Sequence, residues 1–286
     1  MEFGEEFSEE LGNDIRRMVE IALTEDIGDE DITARLIPEE LAARGSVMTR
    51  QSAVICGRHW VDEVYRQIDA RLTVDWSVED GDSISPEQVL FTVEGQARAI
   101  LTGERTALNF LQTLSSTATV SRHFSDLVSD TPVKLLDTRK TLPGLRRAQK
   151  YAVTCGGCFN HRMGLYDAFL IKDNHISASG SISAAVQLAR NSHPHVPVEV
   201  EVENLAQLRL AVDAQPDVIM LDNFSLKDVV SAVHAVNHPI KLEASGGIDS
   251  DEELIALAET GIDYVSIGAL TKNCHAIDLS MSLNLL

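Results

Sequence analysis

The chain has 286 residues, 44% hydrophobic and 24% charged, which is enough for about two domains with buried cores and excludes a disordered scaffold. Forty-four acidic against 24 basic side chains give a net charge of −20, which argues against general affinity for nucleic acid or anionic membrane. No apolar run approaches a membrane span, no secretory or transit signal is read at the N-terminus, and four cysteines (Cys56, Cys155, Cys158, Cys274) suit a reducing cytoplasm better than a disulfide framework.

Residues 1–31 carry 12 acidic and 2 basic side chains and read as a solvated tail and helix, the helix running through IRRMVEIALTED (15–26). A strand-like GSVMTRQSAVICG (45–57), a helix VDEVYRQI (61–68) and short strands around LTVDW (72–76) and VLFTVEG (89–95) follow; together they predict a small α+β domain. The hairpin-like stretch at 79–95 has the outline of a lipoyl or biotinyl module, but the first lysine is Lys134, so no residue there could carry such a group. Residues 104–128 place Leu108, Leu111, Leu114, Val120 and Phe124 at helical spacing and predict a long helix bridging two domains.

From residue 133 onward, VKLLD, AFLIK, VEVEVE, DVIMLD, IKLEAS and YVSIG alternate with amphipathic stretches, the pattern of repeated βα units around a parallel sheet. Glu201, Asp222 and Glu243 recur every 21 residues and Ser266 follows 23 later; units so short and regular favour a closed barrel over an open sheet. With six strands, the expected fold is α/β, an irregular or incomplete TIM-like barrel preceded by the α+β domain. The expected division is 1–113 and 114–286, with a C-terminal helix packing back on the N-terminal domain.

Charge is concentrated: residues 98–172 hold 11 basic and 5 acidic side chains, which suits a small, highly anionic ligand in a focused cleft. In an α/β barrel the active-site face lies at the strand C-termini, which here carry Asp137, Thr138, Arg139, Lys140, Lys172, Glu201, Asp222, Glu243 and Ser245. Two glycine turns, Ser245-Gly246-Gly247-Ile248 and Ser266-Ile267-Gly268-Ala269, follow the last two strands, a habitual place for a phosphate. Arg105, Arg139, Lys140, Arg162 and Lys172, with His161, suit a ligand with more than one carboxylate, because guanidinium groups bind carboxylates in a planar, bidentate way. Glu201 and Asp222 could face ribose hydroxyls, Mg²⁺ on a pyrophosphate, or positive charge developing on a sugar ring. Cys155-Gly-Gly-Cys158, with His161 nearby, lacks a second ligand pair for zinc, Cys274 and His275 being far along the chain; packed thiols in a glycine turn are the favoured reading.

The runs DTRKTLPGLRRAQKYAV (137–153), GGCFNHRMGLYDAFLIKDNHI (156–176), EVEVEN (199–204), IMLDNF (219–224) and LEASGGI (242–248) resemble quinolinate phosphoribosyltransferase, and the resemblance extends over nearly the whole chain. Cys158 departs from it, standing where the family often has a third glycine. The resemblance implies transfer of phosphoribose from 5-phosphoribosyl-1-pyrophosphate (PRPP) to quinolinate with loss of CO₂ and pyrophosphate, giving nicotinate mononucleotide for NAD biosynthesis. It also implies that Arg139, His161, Arg162 and Lys172 hold the two carboxylates, with Arg105 reaching in from the second subunit of a homodimer. Lys140 would touch both substrates, with Thr138 beside it. Glu201 and Asp222 would face ribose and Mg²⁺, while 245–247 and 266–268 would hold the 5-phosphate. The competing readings are a paralogous phosphoribosyltransferase acting on a monocarboxylate, a barrel that binds a phosphate ligand without turnover, and another phosphosugar enzyme such as an isomerase. The cation set favours a dicarboxylate.

Overall fold

The structure is a computed structural model describing residues 9–236, 239–248 and 250–286, so the first eight residues of the acidic tail lie outside the description. In chain order the elements are α1 (Glu9–Ile27), β1 (Ala42–Thr49), β2 (Ala53–Val54), α2 (Arg58–Ile68), β3 (Thr73–Trp76), β4 (Ser83–Ile84), β5 (Val89–Gln96) and α3 (Ala97–Leu127). There follow β6 (Lys134–Leu136), α4 (Arg146–Cys155), β7 (Phe169–Ile171), α5 (Asp173–Ser179), α6 (Ile182–Ser192), β8 (Val198–Val202), α7 (Leu205–Ala214) and β9 (Val218–Asp222). The last are α8 (Leu226–Ala235), β10 (Lys241–Ser245), α9 (Asp251–Ala258), β11 (Tyr264–Ser266), α10 (Ala269–Lys272) and β12 (Leu279–Leu285).

These elements form two compact units. Among the described residues the first comprises 9–122, 142–157 and 273–286 and the second lies within 123–141 and 158–272, so the chain crosses between them repeatedly where one division at 113/114 was expected. One crossing falls inside α3.

The first unit is built on an antiparallel sheet of order β12-β1-β5-β3. Ile15, Val19 and Leu23 of α1 recur every fourth residue and are buried, and α2 buries Trp60, Val61, Val64 and Tyr65. The β5 residues Leu90, Phe91 and Val93 join the same core. Burying a side chain of the size of Phe91 stabilises the fold by about 2–3 kcal/mol. The C-terminal segment is a strand where a helix was expected. Leu279, Met281, Leu283 and Leu285 alternate with polar residues at period two, and the strand pairs antiparallel with β1 from Thr49↔Leu279 to Ala43↔Leu285.

The second unit contains the six-stranded parallel sheet β6-β11-β10-β9-β8-β7. Phe159 adds a single-residue bridge to the free edge of β6, its N–H donating to Leu135 O and its C=O accepting from Asp137 N–H. Six full strands plus this one-residue bridge make the irregular, barrel-like arrangement expected from the sequence. Ser181, Asn204, Ser225 and Ser250 cap α6, α7, α8 and α9, each side chain accepting from backbone N–H groups of the first turn. Such caps, worth about 1 kcal/mol each, fix where the helices begin and hence how long the loops above the strand ends can be.

Candidate active site

Side chains alternate along a strand, and the parallel register decides which ones share a level. In β8 the V-E-V-E-V run buries Val198, Val200 and Val202 on one face and turns Glu199 and Glu201 to the other. Glu201 pairs with Met220, Met220 with Glu243, and Glu243 with Tyr264; one level higher, Asp222, Ser245, Ser266 and Leu136 lie side by side. The regular 21-residue spacing therefore conceals a step: Asp222 stands one inward-facing layer above Glu201.

A cavity of about 420 Å³ opens at these strand ends. It is lined by Thr138, Arg139, Lys140, His161, Arg162, Lys172, Glu201, Asp222, Ser245 and Ser266, together with Leu170, Met220 and Glu243. A neighbouring cavity of about 260 Å³ shares Thr138, Lys140, Asp222, Ser245 and Ser266 and adds Gly246, Gly247, Ile267, Gly268 and Lys272. Of the anticipated residues, Asp137 and Arg105 line neither: Asp137 is fully buried, and Arg105 is exposed on α3 in the first unit.

At one end of the larger cavity the cations cluster. Burial works against charge on the Arg162 guanidinium, and the neighbouring Arg139 charge adds to that, so Arg162 is held below its ordinary value. A cation in that position gains from an incoming anion. Its Nη1 donates to Ala168 O at 3.2 Å, while Asp167 accepts from Met163 N–H at 2.6 Å and Gly164 N–H at 3.0 Å, fixing the loop that carries it. Lys172 Nζ donates to Glu201 Oε2 at 2.6 Å.

Beneath the cations, His161 Nε2 lies 3.0 Å from Glu199 Oε2 and 3.4 Å from Glu243 Oε2, and its Nδ1 accepts the Arg162 backbone N–H at 2.8 Å. Its own backbone N–H donates to Oδ1 of the fully buried Asp137 at 2.9 Å. Burial disfavours a charged imidazole, but hydrogen bonds and charge from Glu199 and Glu243 outweigh it and push His161 up to about 10. Burial, reinforced by the charge of Glu243, pushes Glu199 up to about 7. Nδ1 accepts from the Arg162 N–H, and the proton on Nε2 is shared toward the two carboxylates.

The smaller cavity is walled by backbone. Gly246 has φ +153°, and a β-carbon there would lie 2.9 Å from Asn223 Oδ1. Across the cavity the Lys140 side chain lies over Gly268, whose added β-carbon would meet Lys140 Cδ at 3.2 Å. Thr138 Oγ1 accepts the Lys140 backbone N–H at 3.1 Å and Thr271 Oγ1 donates to Lys140 O at 2.8 Å. Lys140 lines both cavities and joins them.

Three contributors escaped the sequence reading. Glu199 shares a strand face with Glu201, and the alternation in VEVEV was the signal for it. Met220 stands on β9 between Glu201 and Glu243 and at their level. Lys272 follows the second glycine turn by one helical turn. The cysteines do not group as C-x-x-C: Cys155 meets Cys56 in the first unit, and Cys158 is buried in the second.

Residues 31–115 match the family model for the N-terminal domain of quinolinate phosphoribosyl transferase, and residues 117–282 match the one for its C-terminal domain. The chain is 41% identical over 278 residues to the nicotinate-nucleotide pyrophosphorylase [carboxylating] of Mycobacterium leprae, covering 94% of this chain and 96% of the relative. It is 39% identical over 272 residues to the probable enzyme of the same name from Bacillus subtilis, covering 95% and 94%. The solved nicotinate-nucleotide pyrophosphorylase structure from Francisella tularensis superimposes with a TM-score of 0.93 at 45% identity, covering 96% of this chain and 97% of that one.

Proposed function

The chain belongs to the quinolinate phosphoribosyltransferase family and transfers phosphoribose from PRPP to quinolinate with decarboxylation; on that premise we propose how its residues divide the work. The observation that carries the division is a cation-lined cavity joined by Lys140 to a glycine-walled one.

Arg139, Arg162 and Lys172 take the two quinolinate carboxylates, with His161 behind them. The glycine turns at 245–247 and 266–268 take the 5-phosphate of PRPP through backbone N–H groups, which suit a phosphate without committing a charge. Lys140 reaches both substrates and offsets charge on the departing pyrophosphate. Glu201 and Asp222 are catalytic through the ribose: their carboxylates stabilise the positive charge that grows on C1 as the bond to pyrophosphate breaks. Lys172 holds Glu201 in place for this.

Glu201 and Asp222 also present the hard oxygen donors that Mg²⁺ selects. Among the described residues, no group of three metal-ligating side chains includes either of them, which suits a metal carried mainly by PRPP oxygens. Bound there, Mg²⁺ supplies charge neutralisation of the pyrophosphate. Once the pyridine nitrogen carries ribose it is cationic and withdraws electrons from the adjacent carboxylate-bearing carbon, so decarboxylation follows transfer; a ¹³C isotope effect on the carboxylate before transfer would contradict that order. The protein's part is orientation and exclusion of water.

Arg105 serves the site of a second copy, making the working unit a homodimer. Mixing Arg105→Ala with Lys140→Ala chains then restores some activity, because one hybrid site keeps both residues; no recovery despite subunit exchange sinks the shared site. Among the described residues no helix is long and apolar enough to cross a membrane, and we place the enzyme in the cytoplasm. The deciding test is CO₂ release from carboxyl-labelled quinolinate with PRPP and Mg²⁺ together and each omitted. Release requiring all three is the expected result; PRPP binding without release overturns it in favour of a monocarboxylate paralogue or a binding module.

A further inference from the structure

We infer that Glu199 and Glu243 are positioning residues for quinolinate, and that His161 is the strut through which they act rather than a group that grips a carboxylate. The inference rests on quinolinate occupying the cation-lined cavity. Both imidazole nitrogens are already engaged within the protein: Nε2 donates toward Glu199 and Glu243, and Nδ1 accepts from Arg162 N–H. No ring nitrogen remains to bond a substrate carboxylate in this arrangement. The side chains of Glu199 and Glu243 are 8% and 1% exposed, with Glu243 contributing to the lining of the cavity.

What the strut connects is specific. Through Asp137 it ties the end of β6, two residues before Arg139, to the loop carrying Arg162, and through the two carboxylates it ties that loop to β8 and β10. The two guanidinium groups expected to read the dicarboxylate are thus set by one hydrogen-bonded assembly whose acceptors lie on two inward strand faces. The Glu199 and Glu243 carboxyl groups also lie within hydrogen-bond reach of each other, which keeps the assembly compact. The glycine-walled cavity has no member in this network, so the consequence should fall on one substrate only.

The test is steady-state kinetics of Glu199→Leu, which fills the volume but removes both acceptors, beside Glu199→Gln, which keeps an acceptor for Nε2–H. The Leu variant should raise KM for quinolinate about tenfold, the scale typical of losing a residue that orients a ligand-binding side chain, with KM for PRPP changed less than about twofold. Glu199→Gln should restore most of the loss. Both KM values rising together, no change in either, or a Gln variant as impaired as the Leu variant overturns the inference. If Glu199→Leu does not fold, ¹⁵N-histidine spectra of the wild-type enzyme decide: a proton held on Nε2 of His161 is required, and a bare Nε2 overturns the inference. Failure of the family reading is separable, because wild-type enzyme would then release no CO₂ from quinolinate.

Discussion

Two buried clusters of ionisable groups, one in each unit, look alike and do different things. In the first unit, Asp80 Oδ1 accepts from Gly57 N–H at 3.0 Å and Arg58 N–H at 3.2 Å, and its Oδ2 accepts from Tyr151 O–H at 2.9 Å. Cys56 and Cys155 complete it: the hydrogen bond from Cys56 holds the Cys155 thiol below its ordinary value, while burial pushes Cys56 well up. In the second unit, His161, Glu199 and Glu243 form another knot, in which His161 and Glu199 are both raised. The partners separate the two. The Asp80 cluster spends its acceptors on the first N–H groups of α2 and on the hydroxyl of α4, so it fastens helices; the His161 cluster lies beneath a cavity at strand C-termini and feeds the loop of a cation. A shifted ionisation marks a candidate, and its place relative to the strand ends decides between structure and function.

That distinction can be broken by experiment. Arg162→Ala is expected to lower kcat/KM for quinolinate about a hundredfold, near 3 kcal/mol, through loss of charge-assisted hydrogen bonds. Its unfolding midpoint should scarcely move, so a large stability loss would erase the contrast. Asp80→Ala should do the reverse: about 2 kcal/mol of stability lost in urea unfolding, because two helix N-terminal N–H groups and a hydroxyl lose their acceptor, with both KM values unchanged. A selective rise in either KM would give the Asp80 cluster a part in the chemistry. The smallest effect is at Asp62, beside the Asp80 cluster. Burial raises its carboxyl above the ordinary range, against the hydrogen bond that Trp76 Nε1–H donates to it at 2.7 Å. A raised carboxyl contributes stability when protonated and loses it as pH climbs. Asp62→Asn, which keeps the acceptor without the charge, should therefore be slightly more stable than wild type at pH 7, and the gain should vanish once acid protonates Asp62. An Asn variant less stable at pH 7 contradicts the sign.

The sequence made the barrel legible because its units are local: each short apolar run ends in a polar residue, and the next begins about 21 residues on, so spacing alone puts Glu201, Asp222, Ser245 and Ser266 at strand ends. The two glycine turns were legible for the same reason. Glu199 was not, since a glutamate inside a valine run gives no sign of depth, and only the shared contact with His161 Nε2 brings it together with Glu243. The C-terminal strand escaped because its period-two pattern is short and its partner, β1, lies at the far end of the sequence; no local signal names a distant edge. Arg105 lines neither cavity, and the role proposed for it belongs to an assembly of two copies.

That last strand also sets a schedule. On the ribosome, β1 and β5 emerge early, but one flank of β1 stays open until the entire barrel has been made and residues 279–285 follow it. The first unit to be translated is therefore the last to be finished, and the barrel must fold while its neighbour still displays an unpaired edge. Nascent chains halted just before residue 279 should accordingly be the most aggregation-prone species in the life of this enzyme.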